Sequence, residues 1–360
     1  MAAQRPKQSL NVCKTSFPLG SSRSFRTQLS SSTRSIAALP GRLAGSWDIL
    51  EVTLTPSSEQ AFSRSRPKLM ALGYRMLGSV EEAEDLVQDV WLRWHDEAEN
   101  QPGAVLVPEA WLVTVTTRMA IDRLRAAKLR REAYPGLWLP EPLVGDGPAS
   151  PEQIHEIADD VSIAFMVLLD CLTPEARAAF LLREVFGIDY EHIAAAIGKS
   201  EAASRQIVHR AKQRVTAARG SEQQRSRTPP KEQYALLHRL IQAIMDGDFS
   251  GIRALLAEEA ALAGDFGNKG PSLRYPLTGA QRIAQLYYAH HLRHGGNMRL
   301  ELALLNGEWA LLRYLQGELE SVQSFEFDSG RISHVRIQRN PEKLAGLMRR
   351  SDLLTKLNPH

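Results

Sequence analysis

The sequence predicts a multidomain protein in which two all-α segments precede an α+β domain. Three observations predict it. Apolar residues recur every three or four positions through 80–131, a helix-turn-helix pattern occupies 173–215, and from about residue 298 short apolar runs alternate with turn signals.

The first helical segment opens with EEAEDLVQDVWLRWHD, where Ala83, Leu86, Val87, Val90, Trp91 and Trp94 make one apolar face. Glu82, Asp85 and Asp89 make the opposite face acidic, which repels phosphates and suits a basic protein surface. After a loop with Pro102, Gly103 and Pro108 comes EAWLVTVTTRMAIDRLRAAKLRRE, with Leu112, Val115 and Met119 as the buried stripe. Arg118, Asp122, Arg125 and Lys128 line another face that ends in Arg130 and Arg131. Cations at a helix C-terminus suit the helix dipole, and they would equally track a phosphate backbone.

In the second segment, Tyr190, Ile193, Ala194 and Ile197 form the apolar face of a short helix, Gly198 supplies the left-handed turn and Ser200 the N-cap of the next helix. Ile207, Ala211 and Val215 face inward along that helix. Ala202, Arg205, Gln206, His209 and Arg210 are left outside, and a helix of this size fits the major groove. Between the segments stands YPGLWLPEPL, Tyr134 to Leu143, whose prolines favour an extended, stiff path. Trp138 and Leu139, flanked by Pro140, Glu141 and Pro142, are too apolar for a mere spacer and are expected to dock.

From about 62 to 218 the chain resembles the extracytoplasmic-function group of the sigma-70 family. EDLVQDVWLRW is similar to the family's region 2.2, which implies that Asp85, Gln88, Asp89 and Trp91 bind the β′ coiled coil of core RNA polymerase. AWLVTVTTRMAIDRLR and the basic run after it resemble regions 2.3 and 2.4. The resemblance implies minus-ten contacts by Trp111, Arg118, Asp122, Arg125, Lys128, Arg130 and Arg131. The helix-turn-helix resembles region 4 and implies minus-thirty-five contacts by Arg205, Gln206, His209 and Arg210. Few aromatic residues accompany Trp111, so stacking on unpaired bases is expected to be limited.

WLPEP is similar to the signature of a subgroup with a C-terminal SnoaL-like domain that regulates the factor itself. The last third suits such a domain. Tyr234, Leu237, Ile241 and Ile244 mark a helix, a second helix spans about Gln281 to His291, and strands follow at Met298–Leu305, Glu308–Leu315, Ser321–Phe327 and Arg331–Ile337. Asn306-Gly307 and Asp328 to Gly330 read as turns between antiparallel strands. Asp265 and Lys269 in GDFGNKG, and Asn340 and Pro341 in NPEKL, resemble the subgroup's regulatory motifs. Locally, Asp265 reads as capping its own turn, and Asn340 with Pro341 as a helix start.

The expected organisation is a basic Ser/Arg-rich extension at 1–58, region 2 at 59–132, a linker at 133–158, region 4 at 159–218, a spacer at 219–231, the SnoaL-like domain at 232–350 and a tail at 351–360. Net charge is only +3, so no global basic field points to nucleic acid; basic helices are offset by acidic surfaces. Cys13 and Cys171 suggest neither a disulfide framework nor a zinc site, and His290, His291 and His294 lack an acidic partner at metal-ligand spacing. Neither cofactor nor metal is expected, no run spans a membrane, and the expected location is the cytoplasm. The leading reading is a promoter-specificity subunit with no catalytic residues of its own. The alternatives are an enzyme pairing Asp265 with a pocket histidine, a small-molecule-responsive regulator and a stand-alone repressor.

Overall fold

The computed structural model describes residues 58–101, 104–132, 134, 136–144, 162–219, 228–267 and 275–349. Apart from Ser58 the expected extension 1–58 lies outside the described residues, as do most of the spacer 219–231, the tail 351–360 and Lys269.

Helices α1 (Ser58–Leu77) and α2 (Val80–Asn100) form a hairpin turned at Gly78 and Ser79. Gly78 has φ +74° and donates its N–H to Tyr74 O at 2.7 Å, ending α1. Ser79 caps α2 by accepting the Glu82 N–H at 3.3 Å. Helix α3 (Pro108–Glu132) packs against both, burying Leu112 and Leu124 with Leu69, Leu72, Met76, Leu86 and Val90. Each of these side chains stabilises the bundle by about 2 kcal/mol.

The second bundle contains α4 (Ile163–Leu168), a 3-10 turn (Leu169–Cys171), α5 (Pro174–Phe180) running into a π-turn (Leu181–Val185), α6 (Tyr190–Ile197) and α7 (Glu201–Arg219). Gly198, at φ +66°, ends α6, and Ser200 Oγ accepts the Ala203 N–H at 3.2 Å to start α7. The inward stripe of α7 is Ser204, Val208, Ala211 and Val215, while Ile207 is only half-buried. It lies one position away from the expected stripe at its N-terminal end, because α7 packs on α6 and α5 together.

One apolar core holds residues of both bundles. Helix α3 is therefore buried on two sides. Val113, Thr116, Thr117, Ala120, Ile121 and Ala127 are buried along with Leu112 and Leu124, whereas Val115 and Met119 of the expected stripe are half-buried.

The C-terminal domain begins with α8 (Pro230–Met245) and α9 (Phe249–Leu255), followed by β1 (Leu256–Asp265), β2 (Leu277–Thr278) and α10 (Ala280–His294). Then come β3 (Met298–Leu305), β4 (Glu308–Leu315), β5 (Glu318–Asp328), β6 (Arg331–Gln338) and α11 (Pro341–Arg349). The sheet order is β2-β1-β6-β5-β4-β3. Asn306 and Gly307 (φ +52° and +72°) form the β3–β4 turn. The four expected strands, β3 to β6, pair antiparallel as anticipated, and β1, which the sequence reading missed, pairs parallel with β6.

Helices α8, α9 and α10 cover one face of the sheet, on Leu237, Ile252, Ile283, Leu311 and Ile332. The other face, with Ala303, Leu305, Leu312 and Val322, is covered by Leu344 and Leu347 of α11 and by Val144 of the linker. Val144 also bridges antiparallel to Leu305, so the linker joins the sheet at its β3 edge.

Candidate functional site

The basic face of α3 meets the second bundle. Arg118 donates to Ala195 O at 2.7 Å, Lys128 to Leu172 O at 2.6 Å, and Arg125 to Glu175 Oε1 through Nε at 3.0 Å and to Asp122 Oδ1 at 2.8 Å. Arg130 remains largely exposed on Glu82 Oε1 at 3.1 Å. Arg131 donates to Leu77 O at 2.6 Å, stands 3.7 Å from Asp170 and lies with its guanidinium 3.3 Å from the centre of the Trp138 ring. Burial lowers its pKa to about 10 and pushes the Lys128 ammonium down as well. Trp111 is half-buried against Trp94, with ring centres 5.3 Å apart, so it is not a free stacking platform.

Arg177 of α5 ties the bundles from inside. It is 1% exposed and donates to Asp170 Oδ1 at 2.7 Å and to Arg75 O of α1 at 3.0 Å. A buried guanidinium is tolerated only with such partners.

The face of α7 that the sequence predicts to contact DNA is open. Arg205, Gln206, His209 and Arg210 are all exposed and line one shallow depression. Arg205 is oriented by an ion pair with Glu201 and by the Tyr190 ring, whose centre is 4.3 Å from its guanidinium. His209 contacts Gln213 at 3.1 Å.

On α2, Asp85 and Gln88 are exposed. Asp89 is ion-paired with Arg123, which also donates to Glu82 O at 3.0 Å. Trp91 is half-buried between Phe62 and His95, with ring centres 4.8 and 5.7 Å away. The acidic face is thus partly neutralised by the chain's own α3.

The linker docks along its described length, 136–144. The Trp138 ring lies on Gly78, where a Cβ would stand 2.5 Å from Trp138 Cη2, and Lys343 Nζ is 3.9 Å from the ring centre. Glu141 binds the start of α2, accepting from Val80 N at 2.8 Å and Ser79 Oγ at 3.1 Å, while its own N–H donates to Gly78 O at 2.8 Å. Leu139, Pro140 and Pro142 are buried. Leu143 and Asn306 exchange two hydrogen bonds at 2.8 Å, and Asn306 Nδ2 donates to Tyr74 OH at 2.7 Å, joining α1, the linker and the β3–β4 turn.

Asp265 is the hub. Fully buried at the end of β1, it accepts from Tyr134 OH at 2.5 Å, Leu139 N at 2.9 Å, Gly267 N at 3.1 Å and Lys343 Nζ at 2.6 Å. The Gly267 bond is the capped turn that the sequence suggested; the other three hold the linker and α11. No histidine is among these partners, so the acid/base pair imagined for an enzyme is not formed. Burial brings the Lys343 ammonium down to about 8. Asn340 caps α11 by accepting from Glu342 N at 3.1 Å, with Pro341 at the first helical position, and it also donates to Tyr134 OH at 3.1 Å.

Among the described residues no group of His, Cys, Asp and Glu is placed to hold a metal. The space within the C-terminal domain between Tyr287, His290, Arg313 and Gln323 is too tight for a water molecule. Sequence reasoning missed Tyr74, Gly78, Asp170 and Arg177, and it read Asn306 only as a turn residue. Tyr134 and Lys343 stood inside the quoted motifs YPGLWLPEPL and NPEKL without being singled out.

The family model for sigma-70 region 2 matches residues 61–130, and that for sigma-70 region 4 matches 162–215. The ECF RNA polymerase sigma factor SigJ of Mycobacterium tuberculosis is 34% identical over 79% of this chain and 92% of its own length. A probable ECF sigma factor of the same organism, SigI, is 26% identical over 79% of this chain and 93% of its own. The crystal structure of M. tuberculosis SigJ superposes with a TM-score of 0.60 at 30% identity, covering 79% of this chain and 97% of that one. That coverage takes in the C-terminal α+β domain as well as both helical bundles. No helix among the described residues is long and apolar enough to cross a membrane. With both sigma-70 regions matched and a relative similar along most of its length, the chain belongs to the extracytoplasmic-function RNA polymerase sigma factors.

Proposed function

We propose that this sigma factor rests in a closed form in which its upstream reader is free and its minus-ten reader is covered. The observation that carries this is the engagement of Arg118, Arg125 and Lys128 by α5, α6 and the turn before α5. Promoter elements named minus ten and minus thirty-five lie more than two turns of DNA apart, on the order of 70 Å at about 34 Å per turn. Hydrogen bonds joining α3 directly to the second bundle are incompatible with reading both at once. The bundles must separate when the factor enters the polymerase.

In this reading, residues 59–132 and 159–218 are the promoter-reading domains, and 232–350 is a regulatory domain that holds the closed form through the WLPEP linker. Asp85, Gln88, Asp89 and Trp91 seat the acidic face on the β′ coiled coil, where a basic partner surface displaces Arg123 from Asp89. Arg205, Gln206, His209 and Arg210 enter the major groove upstream. The α3 cations hold the minus-ten strand once uncovered. The factor works by recruitment, in the cytoplasm where its polymerase is, with no reaction of its own.

Binding to purified core polymerase and run-off transcription test this reading. The full chain should bind core and initiate, while a variant with Asp85→Lys and Asp89→Lys should lose at least tenfold in core affinity. Equal core binding by both would remove the acidic face from the mechanism.

A further inference from the structure

Of the α3 cations, Arg131 alone among the described residues touches α1, the linker and the second bundle together, through Leu77 O, the Trp138 ring and Asp170. Its side chain is 15% exposed, against 65% for Arg130 beside it. The Trp138 ring it lies on is shared with Lys343, whose ammonium is bonded to Asp265 and to Leu139 O.

A guanidinium has one plane with N–H donors around its edge. In the closed form the Arg131 edge serves Leu77 O and Asp170, and its plane serves Trp138. Bidentate binding of a phosphate needs that same edge turned outward. Turning it removes the plane from Trp138 and leaves one cation, Lys343, on the ring.

We infer that Arg131 is an exchange residue: it holds either the docked linker or a phosphate of the minus-ten strand, so that DNA binding by α3 and docking of the C-terminal domain's linker oppose each other. This rests on the proposed DNA role of α3 and adds to it the residue through which promoter and regulatory domain communicate. By reciprocity, the factor by which bound DNA loosens the docked linker is the factor by which undocking the linker tightens DNA binding. The loss of one partly desolvated cation–aromatic contact puts that factor on the order of tenfold.

The test uses the full chain carrying Arg205→Ala and Arg210→Ala, which disables the recognition helix. Its probe is a 12-nucleotide single-stranded DNA enriched from a random pool on that chain at low ionic strength. Amide hydrogen exchange is read at Leu139, Glu141 and Leu143, whose N–H groups donate to Asp265, Gly78 O and Asn306 in the docked linker. Probe binding should speed exchange at Leu139 and Glu141 at least tenfold. Trp138→Ala should tighten the probe about tenfold when Arg131 is present and less than twofold beside Arg131→Ala, and Trp138→Phe, which keeps an aromatic face, should restore most of the original affinity. A probe that binds while the amides stay protected, or an equal gain in both backgrounds, overturns the exchange and leaves α3 as a DNA reader. Affinity unchanged by Arg118→Ala, Arg125→Ala and Arg131→Ala together overturns both.

Discussion

Gly78 shows how one backbone position fixes the linker. Its φ of +74° imposes a cost on any side chain, and a Cβ would also stand 2.5 Å from the Trp138 ring. Gly187 has φ +65° and nothing within 4 Å of its would-be Cβ, so it separates the two effects. Gly187→Ala should cost about 1 kcal/mol of stability and Gly78→Ala about 3 kcal/mol, with Trp138 undocked, in denaturant melts and amide exchange of 137–144. His290 carries a different signal. Its Nε2 is buried without a hydrogen-bond partner among the described residues, and burial lowers its pKa to about 4 from 6.5. The unfolded chain then binds a proton that the folded domain refuses, so stability falls as the pH drops from 6.5 toward 4. His290→Phe should flatten that slope of unfolding free energy against pH by up to one proton; an unchanged slope would place the titration elsewhere. At this scale much was legible: Trp138 was expected to dock from its size between prolines, and Asp265 to cap a turn. That Asp265 also gathers Tyr134, Leu139 and Lys343 was not, because those partners lie 131, 126 and 78 positions away and meet only in the fold.

Helix α3 explains why periodicity gave its existence but not its surroundings. A helix buried on one side shows a single stripe, and Leu112, Val115 and Met119 were read as that stripe. Helix α3 instead packs on α1 and α2 with one side and on α5 and α6 with another, so small and polar residues such as Thr116, Thr117 and Ala120 are buried too. Thr116 and Thr117 manage this by donating to the carbonyls of Leu112 and Val113, each at 2.7 Å. Strand β1 was missed for a related reason: LAEEAALAGD is rich in helix formers, and its pairing with β6 overrides that local preference. By contrast the β3–β4 hairpin was plain, since Asn306-Gly307 fits the two positive φ angles that a two-residue turn requires. The contact between the bundles makes its own prediction. Asp170→Ala would leave Arg177 buried without its carboxylate, costing about 3–5 kcal/mol. Helices α5 and α6 should then exchange amide hydrogens faster than the C-terminal sheet; equal protection would mean that the pair contributes little to holding the bundles together.

In the whole molecule, the outer face of α7 is open while the basic face of α3 is covered, and the linker between the bundles is held to the domain that follows. The comparisons give the family, and the order of acidic helix, basic helix, proline-rich linker and helix-turn-helix was enough to suggest it. The closed arrangement was not legible, because each cation of α3 is equally suited to phosphate and to a carbonyl or carboxylate of its own chain. The central claim is that these alternatives exclude each other and that polymerase switches between them. It is tested most directly by resonance energy transfer between dyes attached through cysteines at the exposed positions Ala126 of α3 and Gln213 of α7, in a chain whose own Cys13 and Cys171 are replaced by serine. Strong transfer in the free chain that is lost on binding core polymerase and promoter DNA is the predicted result; strong transfer that persists in a transcriptionally active complex would contradict it.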